Sequence, residues 1–144
     1  MVGVVIATHA NLCEGLVNAV ELIAGKQKQV KTIGLFHEDG IEQFKQKVFD
    51  AIFEVDSGDG VLCFVDFIGG SPANTMMEYA RNHELHCVVG VNMPMLLEMF
   101  LSREGKTADE LEELCLQAGR NNIDTLKGIM HGFSKEDEQE LEDF

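Results

Sequence analysis

The strongest constraint on the fold is an alternation of short apolar runs with segments of helical periodicity. Residues 2–7 form a short apolar run rich in β-branched side chains, the pattern of a strand buried on both faces. Leu12, Leu16, Val17, Val20 and Ile23 then recur at helical spacing, and Gly25 ends that helix. The pair of patterns returns. Residues 30–36 read as a second strand, and Ile41, Phe44, Val48, Ile52 and Val55 mark a helix whose wet side carries Glu42, Gln43, Lys45, Gln46 and Asp50. After a turn cluster at residues 56–60 come a third strand (60–65), a helix opened by Ser71-Pro72, and a fourth strand (87–91). Asn92-Met93-Pro94 starts a fourth helix, and Thr107-Ala108-Asp109-Glu110 is a capping-box pattern opening a fifth that ends near Gly119. Between residues 120 and 133, Ile123, Leu126 and Ile129 fit either a short strand or a helix.

Strand–helix–strand repetition with apolar strands implies an α/β fold: a doubly wound, mainly parallel sheet with helices on both faces. Right-handed crossovers favour the order 2-1-3-4. The length of 144 residues suits one domain, expected over residues 1–130. Residues 131–144 read as an acidic tail, since 134–144 hold six acids and one lysine. That stretch contributes −5 of the formal charge of −14. A chain this acidic lacks the clustered cations of a nucleic-acid or anionic-membrane surface. No apolar stretch reaches the ~18 residues of a membrane span, and the amino terminus lacks the basic lead of a signal peptide. The four cysteines (Cys13, Cys63, Cys87, Cys115) show no C-x-x-C spacing and read as free thiols of a reducing compartment.

A fold of this kind places its ligand at the carboxyl ends of strands 1 and 3, where the winding reverses. Strand 1 ends at Thr8-His9, and strand 3 at Asp66, followed by Phe67-Ile68-Gly69-Gly70-Ser71-Pro72. The topology makes these ends neighbours. A carboxylate accepting a hydrogen bond from one imidazole nitrogen sets the tautomer and leaves the other nitrogen as a nucleophile. It also favours the cationic ring that forms on phosphorylation. Gly69 and Gly70 allow close backbone approach, Ser71 reads as an N-cap and Pro72 as the first helical residue. A helix starting there offers N–H donors to an anion.

Other candidates carry less. His83-x-x-His86 with Glu84 lies at a helix-to-strand turn and lacks further metal ligands. His37-Glu38-Asp39-Gly40 reads as a polar loop at the end of strand 2, with Asp39 as an N-cap. No G-x-x-x-x-G-K-[ST] pattern occurs, which argues against direct ATP use. An aspartyl-phosphate receiver needs an acidic pair after strand 1, where Thr8-His9 stands. Neither a metal nor a cofactor is expected. Ile68, Met93 and Met95 sit at the active end and read as an apolar rim for a docking protein.

Three motifs, V-V-I-A-T-H-A at 4–10, F-V-D-F-I-G-G-S-P-A-N at 64–74 and G-V-N-M-P-M-L-L-E at 90–98, resemble the IIA domain of the mannose family of the bacterial phosphoenolpyruvate-dependent sugar phosphotransferase system. The resemblance runs over residues 1–125. It implies that His9 accepts a phosphoryl group at Nε2 from the phosphocarrier HPr and donates it to a IIB domain, which phosphorylates sugar entering through membrane IIC and IID subunits. It implies that Asp66 orients His9 and that Ser71 bonds the phosphoryl group, with backbone donors at Phe67, Gly69 and Gly70. It further implies a cytoplasmic chain associated peripherally with the membrane complex, and a homodimer exchanging a C-terminal edge strand around residues 121–128. Many members carry Gly after the histidine and Thr-Trp after the aspartate. This chain has Ala10 and Phe67-Ile68. The alternative on the same fold is a regulatory module whose phospho-His9 signals sugar supply to a partner.

Overall fold

The first strand, β1 (Gly3–His9), is buried from Gly3 to Thr8 and lies at the middle of the molecule, because both its faces need cover. In the computed structural model, which describes residues 1–132 and 139–142, β1 pairs in parallel with β2 (Val30–Leu35) on one side and β3 (Val61–Val65) on the other. A fourth strand, β4 (His86–Val89), pairs in parallel with β3, so the order is β2-β1-β3-β4. The register sets Ala7 opposite Val65 and His9 opposite Leu35. Asp66 is thereby carried to the level of the end of β1.

The pleat divides the core in two. Val2, Val4 and Ile6 of the first strand segment face one way with Leu62, Phe64 and Val88. Covering them are α1 (Leu12–Ala24), α4 (Met93–Ser102) and α5 (Ala108–Asn121). Val5 and Ala7 face the other way with Val61, Cys63 and Val65. There α2 (Ile41–Val55) and α3 (Ser71–Ala80) supply Phe44, Val48, Ile52, Ala73 and Met76. Cys13, Cys63 and Cys115 are buried and free, as is the half-buried Cys87. Burial pushes the Cys87 and Cys115 thiols up to about 12, which keeps them protonated and inert near neutrality.

The capping box at Thr107 and Glu110 forms as the spacing predicts. Three local expectations differ. Residues 121–128 form no strand: α5 runs to Asn121, and α6 (Leu126–His131) begins after a turn, with Thr125 Oγ1 accepting from the Gly128 N–H at 3.0 Å. An alternation too short for either period is decided here by that side-chain cap. Asp39 is not an N-cap either. Gly40 takes that place, while Asp39 Oδ2 accepts from the Phe36 N–H at 2.8 Å. The third difference, at Ser71, concerns the site. Most of the acidic tail lies outside the described residues; 139–142 are helical and exposed.

Candidate functional site

His9 is the last residue of β1 and the first on it to reach solvent. Its Nδ1 lies 2.7 Å from Asp66 Oδ2, and its backbone N–H donates to the same oxygen at 2.9 Å. The pair predicted from residues 57 positions apart therefore meets. The two members differ in exposure: the His9 side chain is 44% exposed and that of Asp66 9%. Burial alone would raise the Asp66 carboxyl. The His9 backbone N–H, the His9 ring and the Phe67 N–H together outweigh it and hold the carboxyl below its ordinary value. An ionised Asp66 can only accept, so in a neutral ring the proton sits on Nδ1 and Nε2 carries the lone pair.

The segment after Asp66 turns through Gly69, whose φ of +94° favours glycine, and enters α3. Gly70 is the N-cap, in extended conformation, and Ser71 is the first helical residue. Ser71 therefore does not cap α3. Gly70 has no side chain, and α3 has no side-chain cap. Its first turn has no side chain of its own to accept from it, whereas in α5 the Thr107 hydroxyl accepts from the Glu110 N–H. Gly70 also abuts the histidine: a Cβ there would stand 2.7 Å from His9 Cε1 and 3.3 Å from Nε2. The mouth of α3 is thus directly beside the free nitrogen.

Two expected site roles change. The Phe67 N–H is not a free phosphate donor, because it donates to Asp66 Oδ1 at 3.0 Å, a local bond that helps hold the carboxylate. Met95 is not a rim residue. It is 5% exposed and packs in the core, where a Cβ on Gly119 would overlap it. Its position two residues beyond Met93 turns it to the inner side of α4. Met93 is half-buried and lines a groove with Ile23, Leu97 and Leu101. Ile68, 72% exposed, stands out beside Phe67.

Three features were not read from the sequence. Thr8, fully buried, accepts from the Cys13 N–H at 2.9 Å and so ties the end of β1 to the first turn of α1. Ala10 adopts a left-handed φ of +48°. The Phe67 ring stacks on the His9 ring. The positions of Thr8 and Ala10 beside His9 were the available signal, but neither the buried cap nor the sign of φ has a periodicity. His37 shares with His9 a cleft of about 270 Å³. His83 stacks on Tyr79, while His86 faces Glu84, Asp109 and Glu112. Among the described residues no three metal-type side chains converge as ligands, and no helix is long and apolar enough to cross a membrane.

The chain is similar to known proteins. A family model described as the PTS system fructose IIA component matches residues 3–115. The mannose-specific EIIAB component of the same system in Escherichia coli (strain K12) is 33% identical over 128 residues, covering 88% of this chain. The chain spans only 40% of the length of that relative. The fructose-specific EIIA component of Bacillus subtilis (strain 168) is 29% identical over 105 residues, 72% of each chain. The structure of a PTS IIA protein associated with the fucose utilization operon of Streptococcus pneumoniae superposes with a TM-score of 0.80 at 30% identity, covering 89% of this chain and 95% of that one. The match over residues 3–115 takes in β1, β3 and the α3 mouth, and so the whole His9–Asp66 constellation. The chain belongs to the fructose/mannose-type IIA family of the sugar phosphotransferase system.

Proposed function

We propose that the chain is a histidine phosphocarrier in which His9 Nε2 takes a phosphoryl group from HPr and yields it to a IIB domain during sugar uptake. One observation carries this reading: Nδ1 is held at 2.7 Å by Asp66 Oδ2 while Nε2 is left beside the uncapped start of α3. In the forward step the Nε2 lone pair forms a bond to phosphorus as the bond between phosphorus and the donor breaks. The Nδ1 proton stays against Asp66, whose negative charge offsets the positive ring that results. The phosphoryl oxygens meet the open N–H groups at Gly70 and Ser71, with Gly69 giving the turn and the Ser71 hydroxyl adding a donor. The barrier is lowered by positioning and charge. An exposed nitrogen suits a carrier that must face two proteins in turn, and Ile68 supplies an apolar contact beside it.

The same reading places the chain in the cytoplasm, meeting the membrane IIC and IID subunits only through IIB. It also favours a homodimer: β4 is an edge strand with Val89 43% exposed, beside an apolar cleft of about 230 Å³ lined by Ile68, Met76, Met77 and Cys87. Equilibrium sedimentation checks this, and a monomer at micromolar concentration counts against it.

Incubation with phosphoenolpyruvate, enzyme I and HPr should yield one acid-labile, alkali-stable phosphate per chain, mapped to His9. An acid-stable product, or label elsewhere, refutes the assignment. Phospho-His9 should then pass its label to a IIB domain encoded beside this chain. Label that forms but passes to no IIB domain transfers the argument to the regulatory alternative.

A further inference from the structure

Phe67 helps hold Asp66 through its backbone N–H, yet its ring also stacks on the nucleophile. The ring centroids of Phe67 and His9 are 5.3 Å apart, with 28° between the planes, a stacked arrangement. Gly70 closes another side: the Cβ it lacks would stand 2.7 Å from His9 Cε1 and 3.3 Å from Phe67 Cε1. The imidazole is therefore bounded by Asp66 at Nδ1, by Gly70 along its Cε1 edge and by Phe67 over one face. Nε2 is the ring nitrogen left for a donor.

We propose that the Phe67 side chain is a positioning residue for phosphoryl transfer at His9, setting the plane of the imidazole and hence the aim of the Nε2 lone pair. This deepens the phosphocarrier reading and rests on it. One hydrogen bond at Nδ1 leaves a ring that is 44% exposed free to rock about that contact. In-line attack on phosphorus needs the lone pair aligned, so orientational freedom lost beforehand appears as rate. A stacked aromatic ring supplies the second restraint, and its electron-rich face favours the positive imidazole ring that phosphorylation creates. Phe67 is itself 54% exposed. The fold does not need its burial, and truncation leaves the core intact.

The test uses phosphoramidate, a small donor that needs no protein docking. Nε2 forms the N–P bond as the donor's P–N bond breaks and its nitrogen leaves as ammonia, with the Nδ1 proton remaining against Asp66. His131, exposed on α6, serves as the internal reference. In Phe67→Leu, labelling of His9 relative to His131 should fall about 2- to 10-fold, and Phe67→Trp should restore it. With HPr as donor, kcat should fall while KM holds. An unchanged His9-to-His131 ratio in Phe67→Leu, or a Trp variant no better than Leu, overturns the proposal, as does an effect confined to KM for HPr. If HPr fails to label the wild-type chain while the phosphoramidate ratio still depends on Phe67, the donor assignment falls and the positioning role stands.

Discussion

The two ends of the sheet are built on opposite terms. At the amino end, most polar groups are closed within the chain, although the buried Arg103 Nε has no partner among the described residues. Arg103, 2% exposed, donates to the Val2 and Lys28 carbonyls at 2.7 Å each and to that of Gln29 at 3.3 Å. The Gln29 side chain donates to the carbonyls of Met1 and Val55. Asp56 Oδ1 accepts from the Gly58 and Gly60 N–H groups. At the carboxyl end, the histidine is exposed and α3 starts without a side-chain cap. Internal satisfaction of polar groups stabilises a fold. Donors and a nucleophile left open cost stability and make a site. The amino end holds the molecule together so that the carboxyl end can stay incomplete.

Substitutions at the two ends should therefore separate activity from stability. The largest effect is expected from His9→Ala, which should abolish HPr-dependent labelling while its unfolding free energy, measured in urea, stays within about 0.5 kcal/mol of wild type. Residual label on another residue, or a large loss of stability, would break the contrast. Arg103→Leu should do the reverse. It strands several buried carbonyls and should cost about 3 kcal/mol in urea unfolding, with labelling per folded chain unchanged. Asp66→Asn should slow labelling about 10²-fold and should also change the acid limb of the stability curve. Asp66 is held below its ordinary value in the folded chain. Its contribution is therefore in place above about pH 4 and fades as the pH falls through the lower folded value. Unfolding at pH 7 and pH 3 should differ less in the Asn variant than in wild type.

Two smaller substitutions probe the carboxyl end alone. Gly70→Ala introduces a Cβ that would lie 2.7 Å from His9 Cε1. Its φ of −95° suits any residue, so labelling should fall about 10-fold or more by displacement of the ring with the melting temperature preserved. Ala10→Gly should relieve the left-handed φ and raise stability by about 0.5–1 kcal/mol, read by thermal unfolding. Lower stability there would show that the strain is illusory.

Much of this division is legible along the chain, but unevenly. The four strands follow from short apolar runs, the first two helices from a period of 3.6, and α3 to α5 from the residues that open them. The His9–Asp66 meeting follows from strand order, since parallel pairing of β1 with β3 brings their carboxyl ends level. Roles that depend on the direction of one side chain were not legible. Met95 and Met93 lie on the same helix two residues apart, yet one is core and the other half-exposed. Ser71 has the chemistry of an N-cap, but the chain enters the helix one residue earlier. Residues 121–128 carry too few apolar positions to declare a period.

By itself the sequence determined the layered α/β architecture and which two residues end the central strands, because hydrophobic periodicity is local and strand order follows from a handed chain. Packing in three dimensions is what sets Phe67 over the imidazole, leaves no room for a Cβ on Gly70, and lets Arg103 gather three carbonyls at the opposite end. Those contacts join segments distant in sequence at distances of a few ångströms. Their directions are set by how the packed helices and loops meet, which no short window of residues records.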